Sequence, residues 1–176
     1  MKNKFAYTVP ALILFLTACS IQKKNVIKVY AYSQAIIPGI IPAGIDENGN
    51  KIRNEYAPKK NYLIYTENLK KNPVTITEIW IDTLHYTVKT EKVSATPVQK
   101  LRYNEYNRTD TVLLVPATSN TVMLVLPDKL SEKKISDAGK SGLTHDSGLT
   151  VGFLYKEKKY YTRVKEFKVL PPDITQ

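Results

Sequence analysis

Apolar side chains in this chain recur at a spacing of two far more than at three or four. From residue 26 onward, short runs rich in β-branched and aromatic residues alternate with polar turns. That is the signature of half-buried strands. It predicts strands over 26–33, 62–66, 74–81, 84–88, 111–115, 121–126, 149–155 and 160–170, the last closed by Pro171-Pro172. Within 74–81 the apolar phase slips by one: Val74 and Ile76 are even, Ile79 and Ile81 odd. A slip of this kind predicts a β-bulge near Thr77 and Glu78. Leu84, Tyr86 and Val88 share a phase, which puts His85 on the opposite face, expected to meet solvent. Runs 111–115 and 121–126 are apolar on both faces, as for buried strands, and Pro116, Ser119 and Asn120 supply turn chemistry between them. No stretch carries a long helical period; residues 128–136 could form at most a short helix. The chain is therefore expected to be all-β, an antiparallel sandwich of seven to eight strands.

Ahead of the strands the pattern changes. Lys2 and Lys4 give a positive start, and residues 5–16 are almost wholly apolar, too short to span a bilayer with comfort. Thr17 and Ala18 are small, and Cys19, the only cysteine, follows. The segment Leu16-Thr17-Ala18-Cys19 resembles the lipobox of bacterial lipoproteins. The resemblance implies cleavage after Ala18, a diacylglyceryl thioether on Cys19 and acylation of the new amino group. It divides the chain into a signal peptide (1–18), a lipidated tether (19–25), the β-domain (26–172) and a short tail (173–176). A single acyl chain holds a protein only marginally, at about 0.8 kcal/mol per buried CH₂, so three chains on one residue are close to a permanent anchor. Ser20 stands where an aspartate would retain such a protein in the inner membrane, so outer-membrane delivery is expected. Lys23 and Lys24 are the opposite of an acidic surface-export cluster, which favours the periplasmic side.

Composition narrows the partners. The formal charge is +10 and falls to +8 without Lys2 and Lys4. Arginine appears only at Arg53, Arg102, Arg108 and Arg163, and the lysines are spread along the chain. Nucleic-acid readers cluster arginine beside aromatics, so nucleic acid is not expected as a partner. Loose attraction to anionic lipid headgroups or polysaccharide is. One cysteine allows no internal disulfide, so burial alone must hold the core.

Residues 62–82 look like the second and third strands of an immunoglobulin-like domain, one ending in an Asn-containing turn and the next carrying a buried Trp80. Residues 110–127 look like the later strand pair of such domains. The two-cysteine bridge of antibody domains is absent, so the likeness is architectural. A transthyretin-like sandwich, as in some secretion-system lipoproteins, fits the same pattern.

No residue set identifies a reaction. His145 and Asp146 lie in a polar loop with Ser141 and Ser147, but sequence-adjacent residues rarely orient one another as a triad requires. Asp46, Asn48 and Asn50 resemble the start of a calcium loop; Lys51 and Ala57 stand where glycine and glutamate are needed, and Asn48-Gly49 reads as a hairpin turn. Asp82-Thr83-Leu84 and Asp110-Thr111-Val112 resemble the three-residue sequon for O-glycosylation of exported bacterial proteins. No metal and no cofactor is expected. The most unusual stretch is 36–45, apolar yet broken by Pro38 and Pro42, with Ile36, Ile37, Ile40 and Ile41 offering a surface for a partner protein. Tyr103 and Tyr106, in a polar aromatic loop, are the alternative: a platform for a glycan. The sequence thus reads as a non-enzymatic, membrane-anchored envelope lipoprotein, a binding or accessory subunit of an outer-membrane assembly or secretion complex. The alternative is a glycan-binding lipoprotein, and a small hydrolase on the His145 loop comes third.

Overall fold

The computed structural model describes residues 25–38, 44–45, 51–52, 59–103, 109–131 and 148–175. Cys19, Ile40, Ile41, Tyr106 and the 141–147 loop with His145 lie outside them. The strands are β1 (Ile27–Pro38), β2 (Gly44–Ile45), β3 (Lys51–Ile52), β4 (Lys59–Asn68), β5 (Val74–Ile81), β6 (Leu84–Lys92), β7 (Val98–Tyr103), β8 (Thr109–Val115), β9 (Val122–Ser131), β10 (Leu149–Tyr155), β11 (Lys158–Val164) and β12 (Lys168–Thr175). Among the described residues there is no helix, and so none long and apolar enough to cross a membrane.

Eight strands form one sheet in the order β11-β10-β5-β6-β9-β4-β1-β12. Its neighbours run antiparallel except β1 and β12, which run parallel. The sheet curls round its own inner face. There Ile27 and Ala31 of β1 and Ile64 of β4 share one core with Ile79 of β5 and Val151 and Phe153 of β10. On the outer face the β7–β8 hairpin covers β1, β4 and β9. Leu114 and Val115 pack with Tyr32, Tyr65, Val122 and Leu170 in a second core. The Tyr32 hydroxyl donates to the Leu114 carbonyl at 2.6 Å, pinning the hairpin down. Strands β1, β4 and β9 are therefore buried on both faces, odd and even residues serving different cores, which is why their sequences do not alternate cleanly.

The expected bulge is present. Across β5 and β10, Glu78 faces Gly152 and Ile76 faces Phe153, so Thr77 is the extra residue. It returns Ile76 and Val74 to the inner face, where Ile79 and Ile81 also point.

Other expectations are corrected. The sheet is mixed rather than antiparallel, because β12 returns alongside β1, a pairing that alternation within a strand does not encode. Pro171-Pro172 does not end the domain. β12 runs on to Thr175, with Asp173 and Ile174 opposite Ile36 and Ile37. The prolines sit where the β1–β12 register shifts, on an edge strand, the two places a sheet tolerates them. Residues 160–170 are two strands, not one, and 98–103 is a strand that no expectation covered. Residues 128–131 continue β9 instead of opening a helix. Leu113, expected inside, is 51% exposed on the outward side of the hairpin.

Candidate functional site

The densest chemistry among the described residues surrounds Glu78. The bulge at Thr77 leaves Glu78 on the outer face of β5, opposite Gly152 of β10, with Tyr161 of β11 beyond it in the same row. Because Gly152 has no side chain, Tyr161 can reach across it. Its hydroxyl donates to Glu78 Oε1 at 2.9 Å, and Lys159 Nζ reaches the same oxygen at 2.8 Å. His85 of β6 lies 3.1 Å from Glu78 Oε2 through Nε2. We assign Nε2 as the donor, since a carboxylate can only accept. Trp80, the cross-strand partner of His85, packs against its ring at a tilt of 55°, with centroids 4.6 Å apart.

His85 is thus buried, not solvent-facing as expected. It does lie opposite Tyr86, but Trp80 and Glu78 cover that face as well. Trp80 is buried as expected, yet on the outer face of the curl, not in the inner core.

The electrostatics fix the protons. Burial pushes the Glu78 carboxyl up, but hydrogen bonds from Lys159, Tyr161 and His85 outweigh it and hold it at about 2. Burial works against the Lys159 charge; its bonds to Glu78 and Tyr161 win, and its pKa is raised. Burial, with the Glu78 bond, raises the Tyr161 phenol. Near neutral pH the carboxylate stays ionised and the ammonium stays protonated. Such a group stores a fixed ion pair and ties β5, β6 and β11 together.

A second buried carboxylate closes the end of the sheet where β1 begins. Glu67 accepts from Tyr30 at 2.6 Å, from Thr118 at 2.7 Å and from Asn120 at 2.7 Å. Burial raises its pKa, the three donors lower it, and the donors prevail. Thr118 also bonds the Thr96 hydroxyl through its backbone N–H, so the 94–97 and 116–121 segments are clamped together over Glu67. Sequence reasoning passed over both carboxylates. The usable signal was their placement: the residues two positions away are apolar on both sides, Tyr65 and Leu69 for Glu67, Ile76 and Trp80 for Glu78, and an acid set in such a row must find donors inside.

At this same end a cavity of about 250 Å³ opens between the strand starts. Ile27, Val74, Ile76 and Met123 line it with carbon, and Lys70 and Lys71 stand at its edge. The Val26 carbonyl accepts from Leu69 N–H at 2.9 Å, so the chain enters the fold beside the 69–73 turn.

The residues singled out from sequence are not brought together here. Ile36 and Ile37 are half-buried in β1, at the opposite end from Ile27. Ile36 pairs on both sides, with Lys59 and Asp173, rather than sitting in a loop. Tyr103 ends β7, paired with Thr109. Thr83 and Thr111 are both exposed. Gly44–Ile45 pairs antiparallel with Lys51–Ile52; the turn expected at Asn48-Gly49 lies outside the described residues. Among the described residues no group of three or more His, Cys, Asp and Glu is gathered to hold a metal. Comparison of the chain with family models, curated proteins and solved structures finds no match.

Proposed function

We propose that this chain is a lipid-anchored protein of the bacterial outer membrane, facing the periplasm, and a non-catalytic binding or accessory subunit of an envelope assembly or secretion complex. One relationship carries the reading. The lipobox cysteine stands seven residues before Val26, and the strand that follows leads straight from the tether to the apolar 36–45 segment. β1 is twelve residues long, about 36 Å at 3.3 Å per residue. An anchor at its start would hold Ile36 and Ile37, where the 36–45 segment begins, well away from the bilayer, where a protein partner can reach them. The Glu78 and Glu67 carboxylates, each held by three donors, favour a rigid scaffold. The curled sheet with its covering hairpin is compatible with an immunoglobulin-like sandwich modified by the parallel β12.

Two measurements test this. Intact mass of protein extracted from membranes should show an acylated amino terminus at Cys19. Isolation from detergent-solubilised membranes should recover one stoichiometric envelope partner, and the Ile40→Asp, Ile41→Asp double variant should lose it while still folding. An unmodified Cys19, or a partner retained by that variant, would refute the reading.

A further inference from the structure

The two ends of the sheet differ in charge. Around the point where the chain enters, Lys28, Lys70, Lys71, Lys92, Lys156 and Lys158 are exposed, against exposed Glu91 and Glu157. Register places them together: Tyr155 pairs with both Val74 and Lys158, and Lys92 pairs with Met123. The other acids near this end are already neutralised or enclosed, Glu78 by Lys159 and Glu67 by its three donors. At the far end the described residues show a smaller excess: Lys59, Lys60, Lys129 and Lys165 are exposed beside Asp82, Asp128, Glu166 and Asp173, of which Asp128 is paired with Lys89 and Asp173 with Lys100.

We infer that the basic end, centred on the 69–73 turn, docks on the phosphate headgroups of the membrane that holds the anchor. The inference rests on the proposed lipidation of Cys19. Seven residues extend to about 25 Å at most, so an anchored chain keeps this end at the bilayer surface. Residues 69–73 are all exposed, Lys70 and Lys71 make no ion pair among the described residues, and Leu69, 36% exposed, adds an apolar side chain at the contact. Lysine ammonium groups near an anionic surface attract it within a Debye length, and the attraction fades in salt. Docking would turn a swinging tether into a fixed orientation, with the 36–45 end directed away from the membrane.

The test uses the full acylated chain in vesicles of phosphatidylglycerol with phosphatidylcholine, and of phosphatidylcholine alone. A fluorophore is placed at Asn72→Cys or, at the far end, at Lys129→Cys, and quenched by headgroup spin-labelled lipid. Quenching at position 72 should be strong with phosphatidylglycerol, weak without it, and lost in high salt; position 129 should stay unquenched in all. Reversing Lys70 and Lys71 to Glu should lower the docked population by more than the roughly 30-fold expected for removing two lysines alone, relative to the undocked one. Lys70→Gln with Lys71→Gln provides a gentler version should the reversal disturb folding. Equal quenching in both vesicles, no effect of either pair, or quenching at 129 overturns the docking. Intact mass of the same sample reports the anchor separately. Acylated Cys19 without charge-dependent quenching sinks the docking alone. Unmodified Cys19 sinks the anchor, while charge-dependent quenching would still uphold the basic face.

Discussion

Glu78 and Gly152 face each other across β5 and β10, and the glycine is what lets the glutamate keep its partners. A Cβ at Gly152 would come within 2.8 Å of Glu78 Cγ and 3.1 Å of Tyr161 Cε1. The Cγ cannot swing aside cheaply, because the carboxylate beyond it is held by His85, Lys159 and Tyr161. Gly152→Ala should therefore destabilise the protein by about 1–3 kcal/mol through crowding. Urea denaturation measures it; an unchanged midpoint would show that the cluster has slack.

Acid should attack the same group. The Glu78 pKa is depressed from 4.5 to about 2 in the folded state. A depressed carboxylate contributes its stability in full above the unfolded value, and loses it as pH falls through the folded one. The window is therefore pH 4.5 down to 2, and the loss is on the order of 3 kcal/mol. Glu67, also lowered, adds in the same direction. Denaturation midpoints at pH 6, 4 and 3 should fall steeply for the natural chain. They should fall less for Glu78→Gln, which starts lower but has no such proton to gain. Parallel pH curves would contradict the assignment.

The bulge residue makes a separable prediction. The Thr77 hydroxyl is buried with no hydrogen-bond partner among the described residues. Thr77→Val keeps the shape and removes the stranded hydroxyl, so it should raise stability by about 1 kcal/mol. Deleting Thr77 should do the reverse. It would turn Val74 and Ile76 to the outer face and leave their places in the inner core empty, a loss of about 4 kcal/mol or more. Thermal melts of the two variants should move in opposite directions.

The Glu67 clamp predicts a hierarchy. Glu67→Ala leaves the Tyr30, Thr118 and Asn120 donors without their acceptor and should cost about 2–4 kcal/mol. Tyr30→Phe removes one donor from a carboxylate that keeps two others, and should cost about 1 kcal/mol. Hydrogen exchange of the 117–121 amides should accelerate more in the first variant than in the second. Equal effects would mean that the clamp hangs on Tyr30 alone.

Much of this architecture was legible in the chain, and the reason is local. Strand periodicity is written into neighbouring residues, so the shift from Val74 and Ile76 to Ile79 and Ile81 discloses the bulge from sequence alone. Turn chemistry at Pro116 and Asn120 separated β8 from β9 in the same way. The lipobox-like run ending at Cys19 and the lysine excess are likewise properties of sequence alone.

What only the tertiary structure decided is which distant residues meet. His85 has the alternation of a solvent-facing position; Trp80 and Glu78 bury it. Pro171-Pro172 has the composition of a terminus; a bulged edge beside β1 makes room for it inside a strand. Lys70, Lys92 and Lys158 are scattered in sequence and gather at one end because β4, β6 and β11 begin or finish there. Alternation records the two faces of a strand, but pairing across about 60 or 140 residues depends on which faces close over which core, and that choice belongs to the folded chain as a whole.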